Sequence, residues 1–265
     1  MTREISEVQT FLVLRHWEKL LFIFFLAITS CQHREAKRPG ICISFDDRSI
    51  KEWYDIKELL KRYNSHVTFF ITQFDSLEPG EIRMLKELQT EGHEIGSHGA
   101  LHAISEYYIK EKTYNEYIEN EIDANISSMK KSGFNPKSFA YPYGAKYWFT
   151  DMILLRKFKI VRGIEPINDE KDLTLIDNIY YTFNGDQTLS SIGIDKNNGL
   201  TKGMIDKAIK RAFDNKEVLM LYGHSPIART DNGAYNFDIY ILEYILSEAQ
   251  KNNLEFMRYE DLISE

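Results

Sequence analysis

The chain has 265 residues, a formal net charge of −7 and 43 % hydrophobic residues. Such a length suits one large α/β domain or two small ones around a buried core. The acidic balance excludes non-specific nucleic-acid binding, which needs clustered Lys and Arg, and two cysteines, Cys31 and Cys42, are too few for a disulfide framework.

The chain opens on a targeting segment. Residues 20–28 form an unbroken apolar run preceded by Arg15, His16 and Lys19. The run is too short to span a bilayer and fits the apolar region of a signal peptide. Ile28-Thr29-Ser30-Cys31 resembles the bacterial lipoprotein box, which implies cleavage before Cys31 and lipidation of its thiol. Residues 1–30 are therefore expected to be a signal peptide and 31–40 a polar tether. The domain of 41–265 is expected in the cell envelope, lipid-anchored to a membrane or extracytoplasmic.

From residue 41 onward, strand and helix patterns alternate. Strands are expected at 41–45, 67–71, 94–96, 138–141, 159–163, 179–183, 218–222 and 254–259. Helices are expected at 51–63, 81–91, 113–131, 147–157, 202–215 and 238–251. The stretch 165–200 is less regular, and 103–112, 165–200 and 225–236 read as loops. This alternation implies a parallel sheet covered by helices. About seven βα units predict an α/β fold of the (β/α)-barrel kind rather than an open sheet. In a barrel the active site lies at the C-terminal ends of the strands, and the polar residues cluster there. Asp46 and Asp47 follow the first strand, His98 and His102 the third, Tyr143 and Gly144 the fourth, and His224 a late one.

His98 and His102 stand at i and i+4, so one helical turn would bring both imidazoles to one ion. Gly99 follows His98, so the zinc-protease pattern HExxH is absent and the base must come from elsewhere. Of Asp46 and Asp47, one carboxylate can complete the metal site while its neighbour takes a proton. Two histidines and one aspartate leave positions open for water and substrate, as catalytic zinc sites require. Tyr143, Trp148 and Tyr222 could line a sugar site.

These residues resemble the motifs of the polysaccharide deacetylases, the NodB-homology family of carbohydrate esterases. Ser44-Phe45-Asp46-Asp47 is similar to the family's (T/S)FDD, and His66 through Phe70 to its ATFF strand. Gly92 through His102 is similar to G-H-E-I-x-x-H-(S/T)-x-x-H, Phe139 through Gly144 to the third motif, and Leu219 through His224 to the last. The likeness runs over about 40–260. It implies a distorted (β/α) barrel and a divalent metal on Asp47, His98 and His102, zinc foremost, with cobalt or nickel accepted by the same ligands. It also implies Asp46 as general base, His224 as general acid and the Tyr143 N–H as an oxyanion donor. The expected reaction is removal of N-acetyl groups from an amino-sugar polysaccharide by a monomer. The alternatives are an O-acetyl polysaccharide esterase and a catalytically weak glycan-binding lipoprotein.

Two departures from the pattern stand out. The family's third motif commonly carries an Arg that orients the catalytic Asp, and here that place holds Ala140. Arg48 is the first candidate to replace it and Arg162 the second. The Asp that tunes the catalytic His is not evident either, with Asp169, Asp172 and Asp186 all open. His66 and His93, at strand starts, read as structural.

Overall fold

The computed structural model describes residues 37–147, 149–167, 172–227 and 235–263. The leader, Cys31 and most of the tether lie outside the described residues, as do Trp148 and Asp169. Among the described residues no helix is long and apolar enough to cross a membrane.

The strands are β1 (Gly40–Asp47), β2 (Thr68–Ile71), β3 (Glu94–Ser97), β4 (Ser138–Ala140), β5 (Ile160–Ile164), β6 (Tyr180–Tyr181), β7 (Thr188–Gly193), β8 (Val218–Gly223), β9 (Ser225–Ile227), β10 (Asn236–Asp238) and β11 (Glu255–Met257). β1, β2, β3, β4, β5, β7 and β8 pair in that order, all parallel, and β8 returns to β1. The result is the closed seven-stranded barrel that the alternation predicts. It is distorted because β1 is shared along its length. β11 pairs with its first half and β2 with its second.

Alternation along β1 explains what faces where. Ile41, Ile43 and Phe45 pack with Trp53, Leu60, Ile205 and Leu246 of the surrounding helices. Cys42, on the opposite face, packs with Phe70, Ala140, Met220, Met257 and Tyr259. That face is the barrel interior, and Ser44 and Asp46 share it. Cys42 is fully buried, and burial pushes its thiol well above the usual value, as befits a core cysteine.

Several elements differ from the sequence expectation. The helix expected at 51–63 is two helices, Ile50–Asp55 and Lys57–Arg62, broken at Ile56. The one expected at 113–131 is continuous but contains a π-helical turn, Ile118–Asp123. The 147–157 helix shrinks to Thr150–Leu154. The loop at 103–112 holds a helix, Ser105–Glu111. The strand at 179–183 is the two-residue β6, antiparallel to β8. The barrel strand of that irregular region is β7, whose Thr188-Leu189-Ser190-Ser191-Ile192-Gly193 lacks an apolar alternation. Its inward Ser191 is buried against the Tyr259 hydroxyl, 2.5 Å away, so a polar residue does the filling. His93 is structural as expected. It accepts a hydrogen bond from the Val67 N–H, and burial pulls its imidazole down to about 4.

Candidate active site

Asp47, His98 and His102 converge at the C-terminal end of the barrel. Asp47 Oδ1 lies 3.4 Å from His98 Nε2 and 3.1 Å from His102 Nε2, and the two nitrogens are 3.2 Å apart. Ligand atoms on a tetrahedral ion with bonds of about 2.0–2.1 Å are spaced by roughly 3.3 Å. Asp47 Oδ1 is buried without a hydrogen-bond partner, which fits an atom whose partner is a cation. The His98 Nδ1–H donates to the Ala140 carbonyl at 2.8 Å. This fixes the tautomer and turns the Nε2 lone pair to the cluster. Burial pushes the Asp47 carboxyl up, but the adjacent His102 and His98 imidazoles outweigh it and hold it well below the usual carboxylate range.

Consecutive residues of a strand point to opposite faces, so Asp46 and Asp47 should not meet. Asp47, however, has φ 84°, which takes it out of extended geometry, and its carboxylate stands at the rim beside His98 and His102. Asp46 keeps the inward direction of β1. Its two oxygens lie 2.6 and 2.5 Å from Nη2 of Arg162, a fully buried side chain. Arg162 is packed between the rings of Phe70 and Tyr222, 5.3 and 5.0 Å from their centroids.

His224 follows β8. Its Nδ1–H donates to Asp195 Oδ2 at 2.6 Å and its backbone N–H to Asp195 Oδ1 at 3.1 Å. Asp195 is almost wholly buried, and the His224 Nε2 faces Asp47 Oδ2 at 3.9 Å. The His224 carbonyl accepts from the Trp53 indole N–H at 2.7 Å, so ring and backbone are both held. Burial pulls the His224 imidazole down, but the hydrogen bond to Asp195 and the charges of Asp46, Asp195 and Asp47 raise it above its ordinary value. The rim therefore carries a carboxylate fixed by Arg162, three clustered ligand atoms that could hold a metal ion and an imidazole biased towards its charged form.

Residues 33–156 match the family model described as polysaccharide deacetylase. The family resemblance is to the polysaccharide deacetylases. Two solved structures share the fold. The Xyl-CE4 domain of a multidomain xylanase from the hindgut metagenome of Trinervitermes trinervoides has a TM-score of 0.52 at 17% identity, over 85% of this chain and 89% of that one. The chitin deacetylase of the fungal pathogen Colletotrichum lindemuthianum has a TM-score of 0.55 at 12% identity, over 86% of this chain and 89% of that one. No curated protein matches the chain.

The match to the polysaccharide deacetylases includes Asp46, Asp47, His98, His102 and Tyr143 but ends before Arg162, Asp195 and His224. His224 and Arg162 are sequence candidates that the fold brings to the rim, whereas Asp195 comes from the fold alone. Arg48, the first candidate for the absent third-motif Arg, points elsewhere: it donates to Gln73 and to the Ser76 carbonyl. Arg162 takes the place, because Ala140 and Arg162 are direct partners across β4 and β5. Of the aspartates considered for His224, Asp172 caps the turn at Thr174 and Asp186 bonds Asn184. Asp195 was missed. It sits just past β7, the strand whose pattern is illegible, so nothing local marks it.

Tyr143 has φ 58° in the turn Pro142–Gly144, and its ring is exposed, 4.7 Å from that of His102. Gly144 after it has φ 65°, and a Cβ there would lie 2.1 Å from Ile164, so glycine is required. Tyr222 is buried, between Arg162 and His224. An exposed ring not anticipated from the sequence, Tyr235, lies 5.6 Å from His224.

Proposed function

We propose that this chain is a metal-dependent hydrolase that removes N-acetyl groups from an amino-sugar polysaccharide. One observation carries the reading. A base candidate clamped by Arg162, a His₂Asp cluster and an acid candidate clamped by Asp195 meet on one rim. Asp47, His98 and His102 would hold the ion, zinc foremost. When bound, such an ion supplies Lewis acidity to the acetyl carbonyl and acidifies a water.

The chain's own residues do the rest. Asp46 accepts the proton of the attacking water, and Arg162 keeps its oxygens aimed. The new bond is from water oxygen to the acetyl carbon. The Tyr143 backbone N–H is assigned to the oxyanion, where a fixed donor contributes most. His224 then donates its Nε2 proton to the leaving nitrogen as the C–N bond breaks, giving acetate and a free amine. An amide nitrogen leaves poorly without that proton, which is why a His224 biased towards its charged form favours amide over ester. Tyr143 offers its ring as a platform for a sugar. The leader and Cys31 support export and a lipid anchor in the cell envelope.

The test is acetate release by the purified, zinc-loaded protein from N-acetylglucosamine oligomers, peptidoglycan and acetyl-xylan. Release from an amide substrate is expected, reduced at least about 10²-fold in Asp46→Asn. Release from acetyl-xylan alone would replace the amide reading by an ester one. Stoichiometric metal with no release from any of the three would point instead to a glycan-binding protein.

A further inference from the structure

His102 has φ 57°, a left-handed conformation that a side chain other than glycine adopts only when its surroundings impose it. The group that imposes it comes from another element. Glu121 lies in the π-helical turn Ile118–Asp123 and is fully buried. Its Oε2 accepts the Leu101 N–H at 2.6 Å and its Oε1 the Ala103 N–H at 2.9 Å. These are the backbone N–H groups of the two residues on either side of His102. Its own carbonyl accepts the Ala100 N–H at 2.8 Å. One residue thus holds the N–H groups of Ala100, Leu101 and Ala103 in the 98–103 loop.

Gly99 fits the same arrangement. It has φ 83°, and a Cβ on it would lie 2.0 Å from Glu121 Oε1. The motif resembled here has Ser or Thr at that place, and in this chain the Glu121 carboxylate fills the space. The Gly99 carbonyl is held from the other side by the Thr72 hydroxyl and the Gln73 N–H, at 2.9 and 3.0 Å. One turn after Glu121, Asn125 is also buried. Its side-chain amide donates to the Ile71 carbonyl and the Ser97 hydroxyl, and its Oδ1 accepts the Phe74 N–H. The wide turn puts both polar side chains against the strand ends. Single π turns inside α-helices recur at functional sites for this kind of reason.

We propose that Glu121 is a positioning residue for His102: its carboxylate clamps the two flanking N–H groups and so sets the left-handed turn that aims the imidazole at Asp47 and His98. The proposal rests on the reading of Asp47, His98 and His102 as metal ligands. It assigns Glu121 no contact with the substrate or the ion. Partners that orient a metal ligand from behind typically govern affinity by about 10–100-fold.

Cobalt(II) titration of the metal-free protein, followed by visible absorption, tests it without reference to turnover. Glu121→Gln keeps the volume but sets an NH₂ against an N–H donor. Cobalt affinity should fall about 10–100-fold with an altered absorption band, while the far-ultraviolet circular dichroism stays that of the parent. Gly99→Ala pushes on the same carboxylate from the loop side and should weaken cobalt binding too. The double variant should lose less than the two single losses combined, because both act on one contact. Parent affinity and spectrum in Glu121→Gln would overturn the proposal, as would a lowered melting temperature with affinity unchanged. Should Glu121→Gln fail to fold, parent affinity in Gly99→Ala overturns it equally. If the unmodified protein binds no cobalt, the metal reading itself fails and the role of Glu121 falls with it.

Discussion

Three residues of the site, Asp47, His102 and Tyr143, have positive φ although none is glycine. Such conformations cost on the order of 1–3 kcal/mol each and persist only where the surroundings over-determine them. Here Asp47 and His102 turn their side chains to one cluster, and the Tyr143 ring lies beside that of His102. His224 shows the complementary device, an ordinary backbone position whose ring is tuned by a partner. Its pKa is raised because the contributions of Asp195, Asp46 and Asp47 outweigh burial. A group raised in this way is charged below its shifted value and loses its proton above it. As general acid it should therefore set the alkaline limb of kcat/KM, above the ordinary imidazole range. Asp195→Asn removes the hydrogen-bonded charge and leaves burial, so the alkaline limb of acetate release should move to lower pH. An unmoved limb would show that Asp195 does not tune this acid.

At the scale of elements, the barrel strands act as interchangeable carriers. What matters is that a guanidinium reaches Asp46 from an inward position near the rim. Ala140 and Arg162 face each other in register on adjacent strands, so either position can meet that need. Arg162→Ala should lower kcat/KM by about 10²-fold through misplacement of Asp46. Stability should fall too, by roughly 3–5 kcal/mol, since a buried carboxylate loses the guanidinium paired with it. Adding Ala140→Arg to that variant should recover part of both, measured by acetate release and chemical denaturation. Arg48→Ala should leave turnover unchanged, because Arg48 bonds Gln73 and Ser76 instead. Near-parent turnover in Arg162→Ala would mean that Asp46 needs no cation at all.

For the whole molecule, the barrel interior holds a buried carboxyl at its N-terminal end. Glu94, fully buried, accepts hydrogen bonds from the Thr68 and Ser138 hydroxyls and the Glu260 N–H, at 2.9, 2.5 and 2.9 Å. Burial pushes its carboxyl up to about 7, more than these donors lower it. The folded chain then holds this proton more tightly than the unfolded one. As pH rises from the ordinary carboxylate range through about 7, stability should fall by roughly 3 kcal/mol. Glu94→Gln removes that titration. It should melt above the parent at pH 8, with the gap closing towards pH 4–5. A gap that does not change with pH would show that Glu94 is not the group responsible.

The sequence by itself determined the class of fold and five polar positions of the site: Asp46, Asp47, His98, His102 and His224. Apolar runs alternating with amphipathic ones require a parallel sheet under helices, and short motifs at strand ends are local enough to read. Tertiary structure alone decided which groups serve them. Arg162 meets Asp46 from 116 residues away, and Asp195 meets His224 across 29. Glu121 reaches the N–H groups of the residues on either side of His102 from a separate helix. A single Arg, Asp or Glu in a strand, loop or helix carries no local mark of its partner. The pairing is set by strand register, by closure of the barrel and by a π-helical turn. Those depend on how many distant segments pack at once, which no short stretch of the chain specifies.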